Sequence, residues 1–203
     1  MWWQAQQYKT EDPTPVLAER IAQRERIAGT GDRQAVASLA TERIEDAVVA
    51  KQFVDVYEIA RTELPPNPLR LDLWFGVIGA LMLSDRKRLA DTLEVAEANP
   101  YRGRFADVPK HAGRGGLAAL DGDHAVAEAE WRRVHELAAE CLPVALKGFT
   151  WALAGHSLGS SHPYGLESGR RAHELFLSAG ALTLLDVYST GVFETQDEAA
   201  ETA

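Results

Sequence analysis

Ala127, Trp131 and Val134 follow one another at steps of four and three residues in "HAVAEAEWRRVHELAAE", a spacing that sets all three on one face of an α-helix. A small or aliphatic residue, a larger apolar one and a small one recur at the same steps in Leu89, Leu93 and Ala96 and again in Ala172, Phe176 and Ala179. A fainter copy, Val56, Ala60 and Glu63, follows "KQFVDVYEIAR". Strand signals are nearly absent: no run alternates apolar and polar residues for long, and the Asp121-Gly122 pair in "LDGDHA" divides two alanine-rich helical patterns rather than two β-branched runs. The chain is therefore expected to be all-α.

Start and stop signals divide it into helices. Asp32 is placed to cap a helix through about Lys51, with Val36, Leu39, Ala40, Ile44, Ala47 and Val48 along one face. Asn67-Pro68 is an N-cap and first-turn pair for a helix through Leu83, and Asp85 caps the next, which stops at Asn99-Pro100. Further helices are expected to end near Leu120, to run from Asp123 to Glu140, to start at Pro143, and to run from Leu166 to Ala179 and from Ala181 to Tyr188, the last as a cap on the hairpin containing Phe176. The repeated triads begin at positions 56, 89, 127 and 172, steps of 33, 38 and 45 residues, the size of a helical hairpin but irregular.

In the clearest copy, Gly115, Gly122, Ala127 and Trp131 match the small first-helix residue, the inter-helix glycine, the small second-helix residue and the packing aromatic of a tetratricopeptide repeat. The fold expected is thus all-α, with tetratricopeptide-like antiparallel hairpins stacked as a right-handed solenoid. Residues 1–32 form an N-terminal helical segment, 33–188 a repeat domain of about four hairpins, and 189–203 an acidic disordered tail poor in large apolar side chains.

The runs "GGLAALDGDHAVAEAEWRRVHELA", "PVALKGFTWALAGHSLG" and "GRRAHELFLSAGALTLLDVY" resemble the C-terminal helical repeat region of large bacterial signalling proteins that join a class III nucleotide cyclase or a DNA-binding domain to an AAA-type ATPase. Phe176, Gly180, Ala181, Leu184, Leu185 and Asp186 stand as in the closing helices of that family, and the resemblance spans about residues 50 to 188. Its motifs are packing motifs. They imply a fold and a setting, a scaffold beside an ATPase or cyclase module, and this chain carries neither module.

Of the 203 residues, 46% are hydrophobic, enough for a substantial core, and the formal net charge is -9. An acidic average field repels a phosphate backbone or an anionic membrane, so neither nucleic acid nor membrane is expected as a partner. The basic stretches Arg20 to Arg26 and Asp85 to Arg88 carry compensating acids and read as solvated helix faces. The single cysteine, Cys141, reads as a buried thiol in a reducing compartment. "MWWQAQQYK" is no signal peptide, and Leu73 to Leu83 is too short an apolar run to span a bilayer, which places the chain in the cytoplasm.

"GHSLGSS" contains the G-x-S-x-G pattern of a nucleophile elbow, with Ser157 in the nucleophile's place. An elbow needs a strand before the serine and a helix directly after it. "PVALKGFTWALA" reads as a helix, Pro163 and Gly165 would break a helix started directly after Ser157, and no Asp stands between Ser157 and His173. In the repeat reading Gly155, Leu158 and Gly159 let the helix pack closely and end. "HELAA" at His135 and "HELFL" at His173 lack the second histidine of a zinc helix, and His156 and His162 lack a third ligand. "AGTGDR" and "GRGG" lack the Lys-Ser/Thr of a P-loop. No catalytic, cofactor-binding or metal residue is assigned, and no binding residue is singled out. Trp2, Trp3, Trp74 and Trp151 are read as packing residues. The function expected is non-catalytic: a scaffold or sensory arm for protein–protein interaction in bacterial signalling or transcription control. The alternative is a small-molecule sensor with a pocket between hairpins, and the remote one a serine hydrolase using Ser157.

Overall fold

A computed structural model describes residues 14–29, 33–64, 70–100 and 103–189. The described residues form ten helices and no strand: α1 (Thr14–Ala28), α2 (Arg33–Val49), α3 (Phe53–Thr62), α4 (Leu71–Met82), α5 (Arg86–Glu97), α6 (Arg104–Leu120), α7 (His124–Cys141), α8 (Val144–Leu158), α9 (Pro163–Ala179) and α10 (Leu182–Ser189). The all-α expectation holds. Trp2, Trp3, the Asp32 cap, the Asn67-Pro68 start and the acidic tail lie outside the described residues.

The predicted N-cap at Asp85 is made as read, and Asp123, expected as the start of a helix, caps it in the same way. Asp85 accepts from the Arg88 backbone N–H at 3.0 Å, and Asp123 from that of Val126 at 3.2 Å. Two starts differ: α4 begins at Leu71 with Arg70 at its N-cap, beyond the expected Asn67-Pro68 pair, and α9 begins at Pro163, not Leu166, because proline has no N–H to lose in a first turn and its fixed φ suits that position. Pro109 lies inside α6, where the Phe105 carbonyl loses its ladder partner.

Four of the links between helices carry an unforeseen regularity. Lys51 (φ 57°), Ser84 (φ 51°), Gly122 (φ 80°) and Gly180 (φ 65°) are all left-handed. At each, the following N–H reaches back five residues: Gln52 to Ala47, Asp85 to Ala80, Asp123 to Ala118 and Ala181 to Phe176, at 2.8 to 3.0 Å. This is the Schellman helix end. The next helix then starts two residues on, at Phe53, Arg86, His124 and Leu182. One turn geometry therefore joins α2 to α3, α4 to α5, α6 to α7 and α9 to α10, whereas α8 and α9 are joined by a longer loop after Gly159.

Three of the triads have a common address as a result. Val56, Leu89 and Ala127 are each the fourth residue of their helix and fully buried. Ala172 stands instead in the third turn of α9, so the fourth copy shares the spacing but not the distance from the turn. Glu63, the end of the faintest copy, lies just past α3 at its C-cap.

The most extensive helix pairs are α8 with α9, α6 with α7, α3 with α4 and α1 with α2. Helices α4, α6 and α8 also touch one another and form an inner layer. Their composition allows it: α4 buries Leu73, Trp74, Val77, Ile78 and Leu81, and α8 buries Phe149, Ala152, Leu153, Ala154 and Leu158. Between partners, a Cβ added at Gly115 would come within 3.1 Å of Trp131, and one at Gly148 within 2.8 Å of Phe176, so each aromatic lies directly on a bare helix backbone. No described helix is long and apolar enough to cross a membrane.

Candidate functional site

Ser157 lies in the last turn of α8, and its hydroxyl donates to the Ala154 carbonyl at 3.3 Å. A helix precedes it where an elbow requires a strand. No helix starts directly after it: α8 ends at Leu158, and α9 starts only after the loop through His162. The two glycines of the motif have packing roles. A Cβ at Gly155 would stand 3.1 Å from the Gly169 backbone nitrogen, so this position brings α8 and α9 to near backbone contact. Gly159, at φ 75°, ends the helix, its N–H bonded to the Gly155 carbonyl.

The densest group of polar and aromatic side chains joins α7, α8 and α9. His135 is 8% exposed and stacks on Trp151 with ring centroids 3.4 Å apart. Its Nδ1 shares a 2.7 Å hydrogen bond with the Tyr164 hydroxyl, and Trp131 lies 6.3 Å along the same stack. Removal from water pushes the His135 pKa down to about 3, the Thr150 carbonyl opposing and the Arg132 charge assisting the shift. Burial likewise raises Tyr164 to about 12, although the Arg132 guanidinium 4.4 Å over its ring pulls the other way. At neutral pH both groups are uncharged, with their protons held far from that range. Such a pair is suited to locking three helices together and is a poor proton donor or acceptor for chemistry near pH 7.

The remaining sequence candidates do not converge. His124 and His162 approach to 5.5 Å between rings, with Glu128 3.9 Å from His162, yet no set of three His, Cys, Asp or Glu among the described residues is arranged to hold a metal. His173 is on α9, half-buried. His156 keeps an open edge but has its ring against the Leu81 carbonyl, and desolvation lowers its pKa. Cys141 is half-buried rather than buried, its thiol donating to the Leu137 carbonyl at 3.1 Å, and burial raises its pKa, which disfavours the thiolate.

Most of the basic residues in the two stretches are paired, while Arg26 is exposed. Arg20 and Arg24 are not a freely solvated face: they reach Glu42 on α2, which is 2% exposed. Arg86 bridges to Asp121, Lys87 to Asp91, and Arg88 to Asp85 and Glu58 while lying 5.2 Å over Tyr57.

What is left is a face rather than a cluster. Helix α10 packs on α9, as its predicted role as a cap requires, but also on α8 and on α2 near the other end of the chain. Leu184, Val187 and Tyr188 point into this contact and are buried, with the Tyr188 ring edge-on to Phe149 at 4.6 Å and 6.4 Å from Phe176. Asp186, exposed, reaches Lys51 at 3.5 Å. The sequence places this helix on Phe176 but suggests Leu182 and Leu185 as its docked side; the structure exposes Leu182, leaves Leu185 half-buried and buries Leu184, Val187 and Tyr188 instead, while Val192 lies outside the described residues. Sequence reading could not find α2, because nothing in a helical stripe names a partner so distant in the chain. No family model, curated protein or solved structure matches this chain.

Proposed function

We propose that this chain is a non-catalytic, tetratricopeptide-like interaction scaffold, a cytoplasmic arm that docks on a protein partner or on a neighbouring ATPase or cyclase module in a bacterial signalling or transcription-regulating system. The observation that carries the reading is the repeated hairpin link: left-handed residues at 51, 84 and 122, steps of 33 and 38 residues, each with the same Schellman bonds and a buried triad residue five positions on. Units repeated in this way bury their flanks on each other and leave a shared inner surface, which suits them to holding peptides, helices or domains. The signalling setting rests on the resemblance of residues 50 to 188 to the terminal repeats of cyclase and ATPase regulators.

The test is calorimetric titration of the full chain with the ATPase or cyclase polypeptide encoded beside it, together with thermal melting against a metabolite panel. Stoichiometric binding of the polypeptide with no metabolite-dependent shift is the expected result. A metabolite that raises Tm in proportion to its concentration, with no polypeptide binding, would replace the scaffold by a small-molecule sensor. Stoichiometric labelling of Ser157 by an activated-serine probe would replace it by a hydrolase.

A further inference from the structure

We infer that α10 is the resident occupant of the partner-docking face, and that a partner binds by laying an amphipathic helix in its place. The inference rests on the scaffold reading above. A terminal cap would cover the last hairpin alone, whereas α10 crosses from α9 and α8 to α2 and so lies over a surface made by both ends of the chain. It does so as a helical ligand does. Leu184, Val187 and Tyr188 stand at i, i+3 and i+4 and supply the buried side, while Leu182 and Asp186 face out.

The attachment is of a kind that opens. Eight residues are too few to remain helical in water unaided, so the helicity of α10 and its docking depend on each other. Its only described ion pair, Asp186 with Lys51, joins two well-exposed side chains and adds little. Its tether is the left-handed Gly180, which tolerates more backbone conformations than any other residue. The face beneath offers aromatic surface from Phe149 and Phe176 with Lys51 at its rim. The partner it fits is therefore a helix with apolar residues at i, i+3 and i+4 and a carboxylate beside them, the chemistry that α10 itself presents.

Two measurements on the full chain test this. Amide hydrogen exchange in the wild-type protein is expected to be at least tenfold faster through α10 than through α4 and α8, showing that α10 opens while the rest stays folded. Equal protection in all three would overturn the inference, since α10 would then leave only on global unfolding. The second measurement uses a fluorescein-labelled peptide, ALTLLDVYSTGVF, with a shuffled peptide as control. It is expected to bind the Leu184→Glu/Val187→Glu variant at least tenfold more tightly than wild type, the shuffled peptide binding neither. Absent or equal binding overturns the inference. If the double variant loses its helical circular dichroism spectrum, the exchange result on wild type decides alone. Concentration-dependent dimers that exchange α10 between copies would make a second copy the occupant and overturn the assignment to a partner. A polypeptide that binds without loosening α10 would overturn this inference and leave the scaffold reading standing.

Discussion

Trp131 has no surface in contact with water and rests on the bare backbone at Gly115, so its indole fills space that no neighbour can reach by a rotamer change. Trp131→Ala is expected to lower stability by ~3–5 kcal/mol, measured by urea denaturation; a variant as stable as wild type would mean that α6 and α7 close over the void. His135, beside it, makes a prediction about pH. Its folded pKa of about 3 lies below the ordinary value of 6.5, so the unfolded chain binds the proton more readily, and the stability carried by the neutral ring is lost as pH falls below 6.5. His135→Phe keeps an aromatic ring on Trp151 and removes the titration. Wild type is therefore expected to lose about 1.5–2 kcal/mol more than this variant between pH 6.5 and pH 5. Parallel profiles would show that the ring is protonated inside the fold.

At the scale of the element, the helix ends are the informative parts. Lys51 and Ser84 occupy left-handed positions where a Cβ costs roughly 1–2 kcal/mol, whereas Gly122 and Gly180 occupy equivalent positions without that cost. Ser84→Gly is expected to stabilise the protein by about 0.5–1 kcal/mol, the relief of strain exceeding the added freedom of the unfolded chain, as read by Tm and denaturant midpoint. Lower stability would mean that the Ser84 side chain supports the α4–α5 turn in another way. These two residues also show why the regular link escaped sequence reading. Glycine signals a left-handed residue because, with no Cβ, it enters that region without steric cost; lysine and serine do not, and the surrounding hydrogen bonds hold them there. Gly122 was legible, and Lys51 and Ser84 were not.

For the whole molecule, α10 ties the two ends together. Its buried residues belong to one continuous core that includes Ile44 of α2, Trp74 of α4 and Phe149 of α8. A chain ending at Ala179 would leave the aromatic face of Phe149 and Phe176 uncovered, and contiguous exposed apolar surface drives association. Size-exclusion chromatography with light scattering is expected to show that shortened chain as oligomers and a chain ending at Phe193 as the same species as the full protein. A shortened chain with the size and stability of wild type would mean that the remaining helices close the face by themselves.

Helix class, the N-caps at Asp85 and Asp123 and the buried Ala127–Trp131–Val134 triad were fixed locally, because a 3.6-residue period and a capping carboxylate act within a few positions along the chain. The dismissal of the G-x-S-x-G pattern as an elbow was equally local: a helix fills the place of the required strand. Which helices meet is a different matter. The Ala172 triad has the same spacing as the Ala127 triad but lies deeper in its helix, and the spacing alone identifies a face without saying how far it stands from a turn. The His135–Tyr164 bond and the reach of α10 to α2 join residues brought together only by packing, the first across three helices and the second across most of the chain. An apolar stripe buries itself against any complementary stripe within reach, and which one it meets was decided by the tertiary structure, where the volumes of all ten helices have to fit at once.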